Sequence, residues 1–463
     1  MSASSATAVV VGGGITGLVA ARELARELSR DSNIVLLEAS DRLGGKILTT
    51  ELDGAVVEAG PDWFLTRSAA ALELCDDLDL TPEVVRPQAF GTLIWSRGAL
   101  RRVPPGFVRG LPSSPLALLR SDLLSVPGRL RGLADVALRG PLSGPDISVG
   151  SLVRRRFGNE LLERVVDPVL AGSRAGRADD MSLAVGAPEI DAAARGGRSL
   201  MMSLRQLSSS GPPPFAGLTS GMSALVERMR TDLRGVDVRA GVAVHSVAAA
   251  GSRYRVGLAN GDSVEADGVV VAVPAHSAAR MVDRFDSDLA RELDSIKWAS
   301  AVVVSLLYPA GAVTPPPAAS GFLVPSVEQK TLTACAWYTS KWGNARPQGG
   351  GFVLRCFAGR SADDAAAQLA DGELCRRIAA EVREATGIAA APEKTSLTRW
   401  DRALPQFEVG HLDRAGRIER LVERHRGIAL AGAGYRGSGL TDCISGGRAA
   451  ARRVAQGLFH AAG

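Results

Sequence analysis

The sequence predicts an α/β fold in which both ends of the chain share one layer, and three observations carry that reading. Residues 7–11 are a short β-branched run that enters a glycine turn, and Ile15 to Ser29 then carries helical spacing through Leu18, Ala21, Leu24 and Leu28. Asn33 to Leu37 supplies the next strand. Near the far end the same order returns, with an apolar strand at 428–431, a glycine-rich turn and a helix from about Asp442 to Leu458.

Between these ends the patterns change. The stretch from Val244 reads as short strands with an Asn260–Gly261 hairpin turn and ends in a buried-looking strand, Gly268–Val273. Residues 297–400 alternate as strands do, with one helix near 362–386, whereas 97–200 is rich in proline, glycine and arginine and holds amphipathic helical segments. A discontinuous organisation follows: 1–65, 219–280 and 398–463 form the two-ended layer, 66–96, 200–218 and 281–397 form a mixed-sheet domain, and 97–199 is a helical insertion.

A chain of 463 residues can bury a large core without disulfides. Its five cysteines, Cys75, Cys335, Cys356, Cys375 and Cys443, lie scattered without CxxC spacing and read as free thiols of a reducing compartment. The five histidines show no metal-ligand spacing, so no metal is expected, and His411 reads as a structural histidine. The start lacks a basic region ahead of a long apolar stretch, and no run reaches the ~18 apolar residues of a spanning helix; a cytoplasmic protein is expected. The net charge of +5 is too mild to imply nucleic acid.

The opening "VVVGGGITG" places Gly12, Gly14 and Gly17 at G-x-G-x-x-G spacing straight after a strand and at the head of a helix. The first glycine permits the tight turn, the second lets a pyrophosphate approach the backbone, and the third lets helix and strand pack. Glu38, at the tip of the second strand, can accept hydrogen bonds from ribose hydroxyls, and its charge argues against a 2′-phosphate. FAD rather than NAD follows from two later features. Gly44 and Gly45, beside a basic residue, form a second turn that a long cofactor needs, and "AGAGYRGSGLTDCISGG" offers glycine backbone to a flat ring and a helix N-terminus to its reduced, negative form. The two-ended layer is thus a Rossmann-type FAD-binding domain.

The segments "GGGITGL", "LLEASDRLGGKI", "EAGPDWFLTR", "WDRALPQFEVGH" and "LAGAGYRGSGLTDCISGGRAAA" together resemble the porphyrinogen-oxidising flavoenzymes of haem synthesis, on the amine-oxidase-like fold. The N-terminal pieces are shared by all amine-oxidase-like flavoproteins; "ALPQF…GH" and "GLTDCISGG" are more specific. Thr441 departs from the pattern, since relatives often carry proline or asparagine there, which bears on the local flavin contact and not on the fold. By this resemblance the cofactor contacts are Gly12, Gly13, Gly14, Ile15, Thr16, Gly17, Glu38, Ala39, Lys46, Gly60, Pro61, Asp62, Trp63, Val244, Trp400, Ser438, Gly439 and Leu440. The implied reaction is a six-electron oxidation of coproporphyrinogen III by O2 with release of H2O2, with protoporphyrinogen IX as the alternative substrate. The chemistry needs placement and exclusion of water more than acid–base side chains, and no catalytic residue is assigned.

Arginine is the residue expected to hold propionates, and Arg67 is the first candidate. Residues 97–160 hold 11 arginines against Asp122, Asp135, Asp146 and Glu160, so this region carries +7 and the remainder −2. It suits a tetra-anionic substrate, a haem-pathway enzyme or an anionic membrane as contact. Three rival classes stand beside this reading. An amine oxidase usually places a lysine in the strand facing the flavin, and the strand Trp298 to Tyr308 has none. A carotenoid desaturase fits the arginine-rich insertion poorly. The third is a flavin-bound scaffold without turnover.

Overall fold

Five short segments pair in the order Val236–Arg239, Asn33–Leu37, Thr7–Val11, Gly268–Val271 and Ile428–Leu430 into one all-parallel sheet. The structure, a computed structural model, describes residues 6–89, 91–138, 146–196, 199–207, 214–316, 319–361 and 365–459. Strand periodicity sends alternate side chains to opposite faces. Ala8, Val10, Ile34, Leu36 and Val270 pack under the helices Ile15–Glu27 and Leu440–Phe459. Val9, Val11, Val35, Leu37, Val269 and Val271 pack under the antiparallel strands of 244–266 and the helices Ala275–Val282 and Ser287–Asp294. Because both faces are covered, the four strands other than the edge strand Val236–Arg239 are largely apolar rather than alternating, whereas that edge strand reads VDVR and alternates.

A second, seven-stranded sheet runs in the order Lys394–Pro405, Trp298–Tyr308, Phe352–Ala358, Leu332–Trp337, Ala319–Leu323, Gly91–Ser96 and Ala99–Arg102. It is antiparallel except where Ala319–Leu323 meets Gly91–Ser96. The helix Asp371–Thr386 buries Leu374, Ile378 and Val382 against it. Helices between Pro115 and Leu207 surround a third core that includes Leu152, Phe157, Val165 and Val166. Inside it, Leu162–Ala171 is wound as a π-helix around Pro168, whose missing N–H removes an ordinary helical bond.

The expected boundaries shift in three places. The strand Lys394–Pro405 runs through 398 and lies wholly in the seven-stranded sheet, carrying Trp400 with it. Ala99–Arg102 is a strand of that sheet, so the helices begin later than 97, and Leu200–Leu204 packs in the helical core beyond 199. The helix expected at 362–386 is two helices, Ala365–Gln368 and Asp371–Thr386; residues 362–364 lie outside the described residues.

One buried ion cluster ties the segment after the hairpin of Thr49–Leu52 and Ala55–Glu58 to the seven-stranded sheet. Asp62 follows the hairpin strand Ala55–Glu58 and is 8% exposed. It accepts from Lys341 Nζ at 2.6 Å and Trp342 Nε1 at 3.0 Å, and Arg355 Nη1 stands 3.2 Å away. Arg355 also donates to the carbonyl of Gly60, and Trp400 Nε1 donates to that of Ala59 at 2.7 Å. The segment 59–62 is therefore gripped by three elements outside the parallel sheet. Burial alone would raise the Asp62 carboxyl, yet Lys341 and Arg355 outweigh it and hold the group well below the usual carboxylate range. Nearby Glu58 shows the opposite balance. Burial pushes it up to about 7, against hydrogen bonds from Met222 N and Thr49 Oγ1.

Replacing Asp62 by alanine leaves Lys341 and Arg355 facing each other without their carboxylate. It should lower unfolding free energy by about 3–5 kcal/mol, measured by denaturant unfolding at pH 7. Because the folded-state pKa is depressed, this stabilisation is present above about pH 4 and fades as pH falls below it. A loss under about 1 kcal/mol would show that the cluster is incidental.

Candidate functional site

At the end of the first strand the chain turns through Gly12, whose φ of +105° suits glycine alone. A Cβ on Gly12 would lie 2.7 Å from the Ala272 carbonyl oxygen, one on Gly13 2.7 Å from Leu43 Cδ2, and one on Gly17 only 1.8 Å from the Gly12 carbonyl oxygen. These three glycines are required by the packing of the chain itself. Gly14 differs. Its Cβ would meet nothing nearer than Gly45 Cα at 3.9 Å, so the space beyond it is an open cradle at the head of the Ile15–Glu27 helix. No side chain caps that helix, whose buried first residues Ile15 and Thr16 leave its leading amides for another acceptor.

Glu38 locks the near wall. Its carboxylate accepts from Gly13 N at 2.6 Å and from both Ser40 N and Ser40 Oγ at 2.8 Å. Its carbonyl accepts from Val242 N, which brings the buried Val244 alongside, while Ala39 is exposed at the rim. The second glycine turn backs onto the first. Gly44 N donates to Gly13 O at 2.8 Å, Gly14 and Gly44 form a parallel bridge, and Gly44 and Gly45 both take positive φ. Arg42 holds this turn from behind, donating to the carbonyls of Gly45 and Ile47.

From there the chain reaches a buried polar set. Lys46 Nζ lies 5.1 Å over the Trp298 ring, and a Cβ on Gly60 would sit 1.9 Å from the Lys46 carbonyl oxygen, which fixes the 60s beside the second turn. Burial lowers the Lys46 amine below its ordinary value, with only the neighbouring Cys443 acting the other way. The Trp298 ring meets His276 edge-on at 5.4 Å, and a Cβ on Gly434 would stand 3.1 Å from the same indole. Burial, with Arg402, Arg280 and Lys46 nearby, lowers His276 to about 4, so its imidazole is neutral at physiological pH. Trp298 Nε1, His276 Nδ1 and the Tyr435 hydroxyl are all buried with no hydrogen-bond partner among the described residues. These groups leave hydrogen-bonding capacity open to a ligand or to water.

The C-terminal turn closes the set. His411 is fully buried and bonds through Nε2 to the Tyr435 carbonyl at 2.7 Å, as a structural histidine does. Gly439 N donates to Asp442 at the head of the Leu440–Phe459 helix, with Ser438 half-buried and Leu440 buried beside it. Thr441 Oγ1 donates to the Leu65 carbonyl, a bond proline could not make. A Cβ on Gly447 would meet Thr16 O at 2.5 Å, so this helix crosses the Ile15–Glu27 helix closely and brings the two N-terminal regions together.

Three expected site residues are placed otherwise. The Asp62 carboxylate faces Lys341 and Arg355, leaving Gly60 and Pro61 as the half-buried backbone toward Lys46. Trp63 is 39% exposed and packs on Phe215 at 5.3 Å. Arg67 pairs with Glu189 at 3.2 Å, which Arg109 also holds at 3.0 Å, so its charge is already answered. Sequence reasoning missed Trp298, His276 and Tyr435 as a unit; their one signal was that each follows or opens an apolar strand. Among the described residues there is no His/Cys/Asp/Glu group able to hold a metal, and no helix long and apolar enough to cross a membrane.

Residues 15–455 match the family of flavin containing amine oxidoreductases. The chain is 32% identical to coproporphyrinogen III oxidase of Bacillus subtilis, covering 99% of this chain and 100% of the relative, and 30% identical to coproporphyrinogen III oxidase of Propionibacterium freudenreichii, covering 98% and 91%. The chloroplastic protoporphyrinogen oxidase 1 of spinach is 27% identical, covering 96% and 83%. Among solved structures, "Putative protoporphyrinogen oxidase" from Exiguobacterium superposes with a TM-score of 0.90 at 29% identity, covering 98% and 99%. With a glycine cradle at one end of the crevice and a buried, unpartnered polar set at the other, the chain belongs to the flavin-containing amine oxidoreductases.

Proposed function

We propose that the protein is an FAD-dependent oxidase that converts coproporphyrinogen III to coproporphyrin III. The observation that carries this reading is full-length likeness to coproporphyrinogen III oxidases in a chain whose open cradle and buried Lys46 fit a dinucleotide flavin. Six electrons and six protons leave the substrate in three pairs, reducing three O2 to three H2O2. A bound FAD would supply the two-electron oxidation chemistry and its turnover by O2.

The chain's own residues supply binding and electrostatics. Gly12 through Gly17, Glu38, Ala39 and Val244 would hold the adenosine and pyrophosphate end; Lys46, Gly60, Pro61, Trp400, Ser438, Gly439 and Leu440 would hold the ring end. Asp62 and Trp63 contribute there through backbone position alone. The desolvated Lys46 ammonium and the N-terminus of Leu440–Phe459 both favour negative charge where the ring would lie. Trp298 and Tyr435 keep water away, and the neutral His276 can hydrogen-bond there without adding charge.

The basic region docks the protein on an anionic membrane surface. Leu116, Leu119, Val126, Leu130, Val136 and Leu138 are 40–64% exposed on and after the helices Pro115–Leu119 and Val126–Leu133, beside the exposed Arg120 and Arg131. An apolar patch rimmed by arginine suits the headgroup boundary, each arginine adding about 1 kcal/mol on anionic lipid.

Three outcomes are expected. Wild-type protein should carry one acid-releasable FAD, and Gly14→Val, which fills the cradle, should fold with an unchanged Tm yet lose FAD at least tenfold by absorbance titration; full FAD retention would contradict the cradle. The kcat/KM for coproporphyrinogen III should exceed that for protoporphyrinogen IX by roughly tenfold to a hundredfold in matched detergent, with H2O2 formed and no gain from NADP+, because two further carboxylates are bound. Equal or reversed values would overturn the substrate. Cosedimentation should occur with phosphatidylglycerol vesicles and not with phosphatidylcholine, and Leu130→Glu should abolish it without changing kcat; indifference to lipid charge would refute the docking surface.

A further inference from the structure

We infer that Arg174 binds a propionate carboxylate of the substrate, an inference that rests on the porphyrinogen reading above. Arg174 lies where the helical region meets the end of the seven-stranded sheet, and its own carbonyl accepts from Gln406 Nε2 at 2.9 Å, which fixes the backbone. Its guanidinium stands over the Phe407 ring, 5.7 Å from the centroid, and Nη1 is buried with no hydrogen-bond partner among the described residues.

Among the described residues Arg414 alone shares a buried, unpartnered Nη1 without an ion pair. The most buried arginines each meet a carboxylate: Arg22 faces Asp77 and Asp232, Arg156 faces Asp135, and Arg355 faces Asp62. Arg67 and Arg109 share Glu189. For Arg174 no ion pair forms among the described residues, and the charged groups it feels are Arg109, which disfavours its charge, and Asp442, which supports it. A guanidinium taken from water without an anion is unfavourable, and its planar fork is matched by a carboxylate.

The location fits that anion. Phe407 packs against His411 at 4.5 Å, and His411 holds the Tyr435 carbonyl, so one aromatic layer separates Arg174 from the turn that carries the unpartnered Tyr435 hydroxyl. Asp442 heads the helix that closes the same site. A narrow crevice of about 10 Å³ opens beside Arg174, walled by Met181, Pro405, Gln406 and Phe407 together with Arg177, Asp180 and Glu408. A macrocycle lying against the ring end of the cofactor site would direct a peripheral carboxylate toward this fork.

The test is fluorescence titration of flavin-loaded protein with coproporphyrin III and with its tetramethyl ester, in matched detergent, for wild type, Arg174→Met and Arg174→Lys. Arg174→Met should weaken coproporphyrin III roughly tenfold to a hundredfold, leave the ester within about threefold, and leave flavin content unchanged. Its Tm should be unchanged or higher, because a buried unpaired charge has gone; a merely structural arginine would instead lower it. Arg174→Lys keeps charge without the fork and should fall between. Coproporphyrin III affinity within twofold of wild type in both variants, or equal losses for acid and ester, overturns the assignment. The functional reading fails separately: a wild type that binds coproporphyrin III through Arg174 yet oxidises no porphyrinogen refutes the reaction and leaves Arg174 standing.

Discussion

The buried Asp62 carboxylate ties the segment after the hairpin of Thr49–Leu52 and Ala55–Glu58 to the elements of the seven-stranded sheet, and the geometry of the site depends on that joint. Arg355 reaches it from the second sheet and Lys341 from the short helix Tyr338–Lys341, while Arg355 and Trp400 bind the carbonyls of Gly60 and Ala59 just ahead of it. A site built from both sides of that joint keeps its geometry only if the two hold one spacing. An ion pair in low dielectric is directional and intolerant of drift, which an apolar contact is not. The joint therefore contributes position as much as stability.

Two kinds of glycine stand at the cofactor end, and separating them gives the cradle its meaning. Gly12, Gly13 and Gly17 are crowded by Ala272, Leu43 and the turn's own carbonyl, so they would be required in any protein with this turn. Gly14 faces open space, so its lack of a side chain serves something outside the chain. Lys46 makes a matching case: a buried cation whose only supporting neighbour is a thiol favours an external negative charge.

The parallel sheet was legible because its information is local. Val9–Val11, the glycine turn and the following helix each carry their own periodicity, and Glu38 sits at a fixed distance beyond. The joint was not legible, since Asp62 meets partners 279 and 293 positions away, and no local pattern encodes such a pairing. The same limit explains Arg67, whose sequence neighbourhood does not reveal Glu189 across 122 positions. The boundary at 398 failed for another reason: the strand Lys394–Pro405 is largely polar and exposed along one edge, which hides its strand period. Arg174 lay in an arginine-rich stretch where composition alone marked no member as different.

Anaerobic mixing of flavin-loaded protein with coproporphyrinogen III tests the central claim most directly, because it isolates electron transfer from substrate to the bound cofactor. The account predicts rapid bleaching of the yellow flavin absorbance, with recovery on admitting O2 and appearance of coproporphyrin III. A flavin that stays oxidised with coproporphyrinogen III, yet bleaches with a polyamine, would contradict it.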